Sequence, residues 1–253
     1  MKVFVLPPAY AGGGSLELEG EPFHYLCRVR RLRRGDSLPA VDAAGSSYHL
    51  TVEEAGRKSC RLRVQKKGSL RREEAALTLY QCLPKGSKFD TIVRQAVELG
   101  VARIVPVKSR YAQMKITGAG GRGERWQRIA REAAQQCGAD GLPEISAPIA
   151  LEEIPRDFGI SGGKKLGIFF HQEPLETGSL HGYLCPCPEE IALVIGPEGG
   201  LADEEVLALR EAGFVPAYLG HRVLRSETAP VFAAAALRII LLEREKWNLS
   251  HGN

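Results

Sequence analysis

Residues 191–229 read IALVIGPEGGLADEEVLALREAGFVPAYLGHRVLRSETA. Ile191–Ile195 is a short apolar run stopped by Gly196 and Pro197, and its length and β-branching predict a buried strand. The turn Gly196-Pro197-Glu198-Gly199-Gly200 carries three glycines, whose conformational freedom permits a tight fold and close approach of backbone to a ligand. A helix over Asp203–Ala212 follows, acidic in its first turn and stopped by Gly213. Phe214–Leu219 predicts a second strand, ending at Gly220. The polar loop His221–Thr228 leads into a long apolar helix opened by Pro230. In an open parallel α/β sheet, ligands sit at the carboxyl ends of strands, so the two loops are expected to build one pocket from two sides. Glu198, Arg225, Glu227 and Thr228 are more polar chemistry than tight turns require.

Working outward, the chain from Leu77 alternates strand and helix. Leu77–Leu83, Val101–Val107, Lys165–Phe170, Ile191–Ile195 and Phe214–Leu219 are five candidate strands. Ser87–Leu99 places Phe89, Ile92, Val93, Ala96, Val97 and Leu99 at helical spacing, and Gly100 stops it. Glu124–Cys137 is a second amphipathic helix with Trp126, Ile129, Ala130, Ala133 and Cys137 inward. The spacing predicts α/β architecture with an open parallel sheet. Gly118–Gly123 matches G-x-G-x-x-G formally. It lies too far past a strand to be a dinucleotide turn and reads as a mobile glycine loop, which leaves a nicotinamide-dependent dehydrogenase without support. Gly138–Gly163 reads as loop. In the last helix Val231, Phe232, Ala235, Leu237, Ile239, Ile240 and Leu241 need burial in the core or against a second subunit.

The first part of the chain differs in character. Residues 1–72 carry 14 Lys/Arg against 7 Asp/Glu, a balance of +7, and residues 73–253 carry 20 against 23, a balance of −3. Val3–Leu6, Ser37–Val41, Tyr48–Glu53 and Cys60–Gln65 are strand candidates, Glu21–Val29 is a short helix, and Gly68–Glu74 is the linker. Arg28, Arg30, Arg31, Arg33 and Arg34 fall within seven residues, a cluster suited to nucleic-acid phosphate. Lys85, Lys88, Arg94, Arg110 and Lys115 extend the candidate RNA-binding set. No apolar run approaches the roughly 20 residues of a membrane span, and the start lacks a signal-peptide layout, so a cytoplasmic protein is expected. The six cysteines read as reduced thiols. Cys185-Pro186-Cys187 lacks a second ligand pair, so no metal is expected.

GPEGG followed about twenty residues later by LG-x-R-V-LRSETA resembles the C-terminal signature of the RsmE-type 16S ribosomal RNA (uridine-N3) methyltransferases of the SPOUT superfamily. Lys85–Asp90, Glu98–Val101, Arg125–Gly138 and His24–Asp36 resemble that family as well, so the resemblance spans nearly the whole chain. Asp42-Ala43-Ala44-Gly45 departs from the family's Asp-Gly-x-Gly, and His221 stands where the family often has proline.

The resemblance implies a PUA-like β-barrel RNA-binding domain over 1–72 and a trefoil-knotted methyltransferase domain over 73–253. It implies S-adenosylmethionine as cofactor, a uridine N3 of 16S rRNA within the small ribosomal subunit as substrate, and a homodimer. Cofactor residues expected on this basis are Phe170, Ile195, Gly196, Pro197, Glu198, Gly199, Gly200, Leu219, Gly220, Val223, Leu224, Ser226, Thr228 and Ala229, with His171 beside them. Glu198 is the candidate base or substrate orienter, Arg225 the candidate cation for the developing anion, and Glu227 the residue expected to orient Arg225. A non-catalytic RNA-binding scaffold is the competing reading, and both intact loops count against it.

Overall fold

The computed structural model describes residues 3–7, 10, 12–42, 46–69, 75–112, 120–139, 141–160, 164–176 and 178–250. The chain divides into two compact units, Met1–Arg71 with Arg131–Leu142, and Arg72–Ala130 with Pro143–Asn253. The expected Asp-Gly-x-Gly departure at 43–45, most of the linker, and Lys115 lie outside the described residues.

The first unit is built on a five-stranded sheet of β1 (Phe4–Val5), β2 (Ser15–Glu19), β3 (Ser37–Val41), β4 (Ser46–Ala55) and β5 (Ser59–Ser69). Their order is β1-β3-β4-β5-β2, antiparallel except for the β1–β3 pair. The period-2 pattern turns Tyr48, Leu50 and Val52 of β4 and Cys60, Leu62 and Val64 of β5 into one core with Leu26 and Leu38. The strand β2 escaped sequence reading because SLELE, between a glycine run and Gly20, is too short and too acidic to stand out. The expected helix over Glu21–Val29 splits into α1 (Gly20–Phe23) and a π-helical turn, His24–Val29. The arginine run leaves that turn with Arg31 in the left-handed region at φ 57°. Arg28, Arg31, Arg33 and Arg34 are exposed there. Arg28 donates to the Arg57 carbonyl at 3.1 Å and stands over the Phe23 ring.

In the second unit all strands run parallel. They are β6 (Ala76–Cys82), β7 (Arg103–Lys108), β8 (Glu144–Ile145), β9 (Ile149–Ala150), β10 (Lys165–His171), β11 (Glu190–Ile195) and β12 (Val215–Tyr218). The order is β12-β10-β11-β6-β7-β8, with β9 also on β7. The two short strands β8 and β9, together with a short helix at Ile154–Phe158, occupy the stretch expected to be loop. Two-residue strands carry no periodicity to read. The helices are α2 (Lys88–Glu98), α3 (Gly120–Cys137, of which residues from Arg131 onward belong to the first unit), α4 (Ile154–Phe158), α5 (Leu180–Tyr183), α6 (Asp203–Glu211) and α7 (Ala229–Ser250). Gly120–Gly123, expected as mobile loop, forms the first turn of α3, where a glycine's backbone entropy costs least because the chain is only half committed to the helix. Among the described side chains of α7, Ala233, Ala234, Leu237, Ile240 and Leu241 are buried, whereas Phe232 and Ile239, expected in the core or against a second subunit, are exposed.

β11 is buried from Ile191 to Ile195, as a strand covered on both faces must be. One face packs Tyr80, Val105, Phe169, Ala192 and Val194 with Phe158 and Phe214. The other is covered by α7, which packs on α2, β6 and β11. The Arg238 guanidinium fastens α7 by donating to the carbonyls of Ala75, Leu99 and Gly100 at 3.2, 3.3 and 2.6 Å. Those carbonyls include the unsatisfied end of α2, where a cation is favoured.

A second clasp closes the opposite side. Arg103 donates to both oxygens of Asp157 at 2.7 and 3.0 Å, and the buried Tyr80 hydroxyl donates to Asp157 Oδ2 at 2.6 Å. The Arg103 guanidinium first, and Tyr80 after it, hold the Asp157 carboxyl below the usual range despite partial burial. A depressed folded-state value stabilises the fold above the unfolded carboxyl value, about 3.9, and the contribution fades as pH falls through the lower folded value. Asp157→Asn should therefore cost about 2 kcal/mol in urea unfolding at neutral pH. That gap should close in acid. A gap that persisted at low pH would mean the loss comes from packing and not from the charge.

Candidate functional site

The sheet register sets the site. Phe170 lies beside Ile195 and Ala217, and Ile195 lies beside Gln81, so β6, β10, β11 and β12 reach the same edge together. The segments leaving those strands must meet there. Phe170, His171 and Gln172 from the end of β10, Ile195–Glu198 and Gly200 at the end of β11, and Leu219, Gly220, Arg222, Val223, Leu224, Ser226 and Ala229 after β12 line one cleft. It encloses about 600 Å³, counting the space open to solvent.

Backbone forms much of its wall. Gly200 and Gly220 hold φ of 75° and 101°, a region that side chains disfavour. A Cβ on Gly196 would meet the Gly200 carbonyl carbon at 3.3 Å and Leu201 at 3.4 Å, so a side chain there would be tight against the turn's own backbone. Of the expected cofactor residues, Phe170, Ile195, Gly196, Pro197, Glu198, Gly200, Leu219, Gly220, Val223, Leu224, Ser226 and Ala229 line this cleft. Gly199 instead faces a separate recess formed with Arg110, Tyr111 and Ala112. Thr228 is outside the lining, and its carbonyl accepts from the Phe232 amide at 3.0 Å. Gln172 and Arg222 line the cleft without having been singled out by sequence. Gln172 sits two residues past a strand end already suspected, and Arg222 sits inside a loop already suspected, so their positions carried the only signal.

Charges are organised around Lys88. The loop after β6 brings the first turn of α2 to the same edge, and Lys88 Nζ lies 2.7 Å from Glu198 Oε1 and 3.5 Å from Glu227 Oε2. Ser226, almost fully buried, places its hydroxyl 3.2 Å from Glu198 Oε1 and 3.3 Å from Glu227 Oε2. A serine has one proton to donate, so it serves one carboxylate at a time and Lys88 must balance the other. Burial alone would push the Glu198 carboxyl up. The Lys88 ammonium, the residue's own backbone N–H and the Ser226 hydroxyl outweigh it and hold the carboxyl below its ordinary range. Glu227 is also held low, by its own backbone N–H foremost and against partial burial, with Lys88 and Ser226 adding to it.

Lys88, expected on RNA, is also engaged by two carboxylates. One earlier expectation changes. Glu227, expected to orient Arg225, pairs with Lys88 and Ser226. Arg225 itself is exposed between two cleft residues, and among the described residues no side chain pairs with it. Of the remaining expected RNA contacts, Arg94 is exposed on α2, and Lys85 is exposed with its backbone N–H 3.4 Å from Glu198. Arg110 donates to Glu204 at 3.0 Å.

Lys88→Gln removes the only side-chain cation between the two glutamates among the described residues. The Glu198 titration, followed by carboxyl carbon NMR, should move up toward the usual range, and the amides of 196–200 and 224–228 should exchange faster with solvent. Lys88→Arg should restore both. Unchanged titration in the glutamine variant would show that the pairing does not hold in solution.

Comparison with known proteins agrees with this geometry. Residues 71–238 match the model of an RNA methyltransferase domain and residues 18–65 that of an RNA methyltransferase PUA domain. A Synechocystis relative named ribosomal RNA small subunit methyltransferase E is 32% identical over 241 residues, 94% of this chain and 77% of its own. A Mycobacterium bovis relative of the same name is 29% identical over 94% of this chain and 90% of its own. The crystal structure of a ribosomal RNA small subunit methyltransferase E from Neisseria gonorrhoeae, bound to S-adenosyl methionine, is 26% identical. It superposes with a TM-score of 0.80 over 95% of this chain and 98% of that one. With a cleft of this construction on a sheet of this topology, and a family match over most of the second unit, the chain belongs to the RNA methyltransferase family that includes the ribosomal RNA small subunit methyltransferases E.

Proposed function

We propose that the protein transfers a methyl group from S-adenosylmethionine to N3 of a uridine in 16S ribosomal RNA. The observation that carries this is the cleft built from both glycine loops, Gly196–Gly200 and Leu219–Ala229. Its residues fit the cofactor. Strained glycines bring backbone donors and acceptors within reach of adenine and ribose edges, and Phe170, Ile195, Leu219, Val223 and Leu224 supply apolar wall. When bound, the cofactor supplies an electrophilic methyl on a sulfonium. The relative from Neisseria gonorrhoeae binds S-adenosyl methionine on the same fold.

The protein's own groups must do the rest. Uridine N3 is a weak acid that becomes nucleophilic only as its proton leaves and charge spreads to O2 and O4. Arg225, exposed and without a side-chain partner among the described residues, is placed to balance that charge. Glu198 is ionised and already accepts from Lys88 and Ser226. A carboxylate held below its usual range is a weak base, so its role is to accept a hydrogen bond from the substrate N–H and orient it, while the N3 proton passes to solvent water as the charge develops. N3 is occupied in a Watson–Crick pair, so the target uridine is unpaired or turned out of the helix.

The first unit, with its exposed arginines, grips backbone phosphate and sets register within the small ribosomal subunit. The functional division is 1–72 for RNA binding and 73–253 for methyl transfer, with Phe170 and the two loops in the cofactor site. The segment after β12 threads into a trefoil knot. Support for this comes from the loops after β11 and β12 lining one cleft at the same sheet edge, with α7 then packing on α2, β6 and β11. Phe232, Ile239 and Leu242 stand exposed on α7 at helical spacing, and a second copy of the chain would cover them in a homodimer. No helix among the described residues is long and apolar enough to cross a membrane, and the reaction belongs in the cytoplasm with its substrate.

Calorimetric titration with S-adenosylmethionine, followed by incubation with small ribosomal subunits lacking the modification and mass mapping, tests the reading. One methyl on a uridine N3 is expected. Cofactor binding with a methyl elsewhere would overturn the substrate, and no binding would leave an RNA-binding scaffold. Arg225→Ala should lower kcat roughly a hundredfold, the scale of losing one oxyanion donor, with cofactor affinity little changed. Equal loss of both would make Arg225 a structural residue.

A further inference from the structure

The turn Gly196–Gly200 has two sides. Pro197, Glu198 and Gly200 face the cofactor cleft, whereas Gly199 faces a wide recess with Arg110, Tyr111 and Ala112. Tyr111 is 46% exposed, an unusual setting for a tyrosine ring that makes no side-chain hydrogen bond among the described residues. Its position is imposed from below. The Arg110 backbone N–H donates to Glu205 Oε1 at 2.7 Å, and the other Glu205 oxygen accepts from the Ala202 amide at 2.8 Å. Glu205 is almost fully buried, so this carboxylate ties the segment after β7 firmly to the start of α6. The Arg110 side chain is fixed from outside by Glu204 at 3.0 Å, which occupies one of its five N–H donors. A Cβ on Gly199 would lie 3.2 Å from Tyr111 Cβ, so the turn and the tyrosine are packed in close contact.

The result is a rigid aromatic face, open to solvent, with a guanidinium next to it, on the outer side of the turn that walls the cofactor cleft. A small-molecule pocket would enclose its ligand more fully than this recess, which opens to solvent beside the exposed ring. A flat ring with an adjacent cation matches a nucleobase and its phosphate. Base stacking tolerates any sequence because every base has a π face.

We propose that Tyr111 is the stacking platform for a nucleobase flanking the target in the substrate strand, with Arg110 contacting that nucleotide's phosphate through its remaining donors. Gly199 is thereby a residue of the RNA side of the turn, required small so that the ring can pack against the backbone. The inference rests on the methyl-transfer reading, since it places the flanking base one backbone thickness from the cofactor cleft. The platform positions substrate and makes no contact with the reacting methyl.

The test compares wild type with Tyr111→Ala, Tyr111→Phe and Tyr111→Leu. The first readout is methyl transfer to small ribosomal subunits at varied substrate concentration. The second is the fluorescence of a single-stranded oligouridylate carrying one 2-aminopurine, which is quenched on stacking. The alanine and leucine variants should raise the RNA KM at least tenfold, with cofactor affinity unchanged by calorimetry. The phenylalanine variant should stay within twofold of wild type. Wild type and phenylalanine should quench the probe, and alanine and leucine should not.

Leucine performing as well as phenylalanine would overturn stacking and leave only packing against Gly199, and an alanine variant with unchanged KM and quenching would overturn the platform outright. A wild-type protein that quenches the probe but never methylates would sink the proposed reaction while leaving the stacking face intact. Methylation without quenching in any probe register would do the reverse.

Discussion

The structure depends on one strand having no free face. β11 is buried from Ile191 to Ile195, between β10 and β6 within the sheet and between the Phe158–Phe214 layer and α7 across it. A one-residue slip would exchange the two sets of side chains between differently shaped layers, so the register is fixed as tightly as packing can fix it. Fixing β11 fixes where Gly196 begins. Every feature of the cleft is then a consequence of how far Phe170, Ala217 and Gln81 extend beside Ile195.

That geometry has an electrostatic cost. Bringing the turn after β11 and the loop after β12 to one edge brings Glu198 and Glu227 around the same hydroxyl. Two carboxylates that share a donor repel unless a cation lies between them or one takes up a proton. The sequence answers with Lys88 on the first turn of α2, delivered by the neighbouring strand β6. The pair is partly exposed, so its direct worth in stability is small. Its larger effect is on protonation: both glutamates are held charged, and among the described residues Arg222 and Arg225 are left as cations that no side chain pairs. A site that must welcome an anion as it forms on the substrate benefits from that division.

How much of this could be read in the chain differs by scale. The parallel α/β unit was legible because Ile191–Ile195, Leu77–Leu83 and Lys165–Phe170 are apolar runs of strand length ended by glycine, proline or polar residues, with helical spacing between them. The cleft was legible because its walls are contiguous in sequence. What stayed hidden is long-range or sub-periodic. Lys88 looked like one more basic residue because its partners are more than a hundred positions away. β2, β8 and β9 are too short or too acidic to show a period. Phe232 and Ile239 could not be told from core because α7 is apolar nearly all round, and sequence cannot say which part of such a helix the sheet will cover. Gly199 was grouped with its neighbours by adjacency, although the turn aims it the other way.

The last point bears on how such a turn can vary. Five consecutive residues are constrained from three directions: by the sheet through Gly196, by α2 through Glu198, and by the segment after β7 through Gly199. Each constraint acts on a different neighbour, yet all act on one backbone. A shift of Tyr111 that required Gly199 to move would carry Glu198 with it and disturb its 2.7 Å pairing with Lys88. The surface outside the cleft and the charge balance inside it are therefore mechanically coupled through a single peptide turn. Glycine at three of its five positions both permits this shape and resists easy substitution, since added side chains at Gly196 and Gly199 would be tight against backbone or ring from opposite sides.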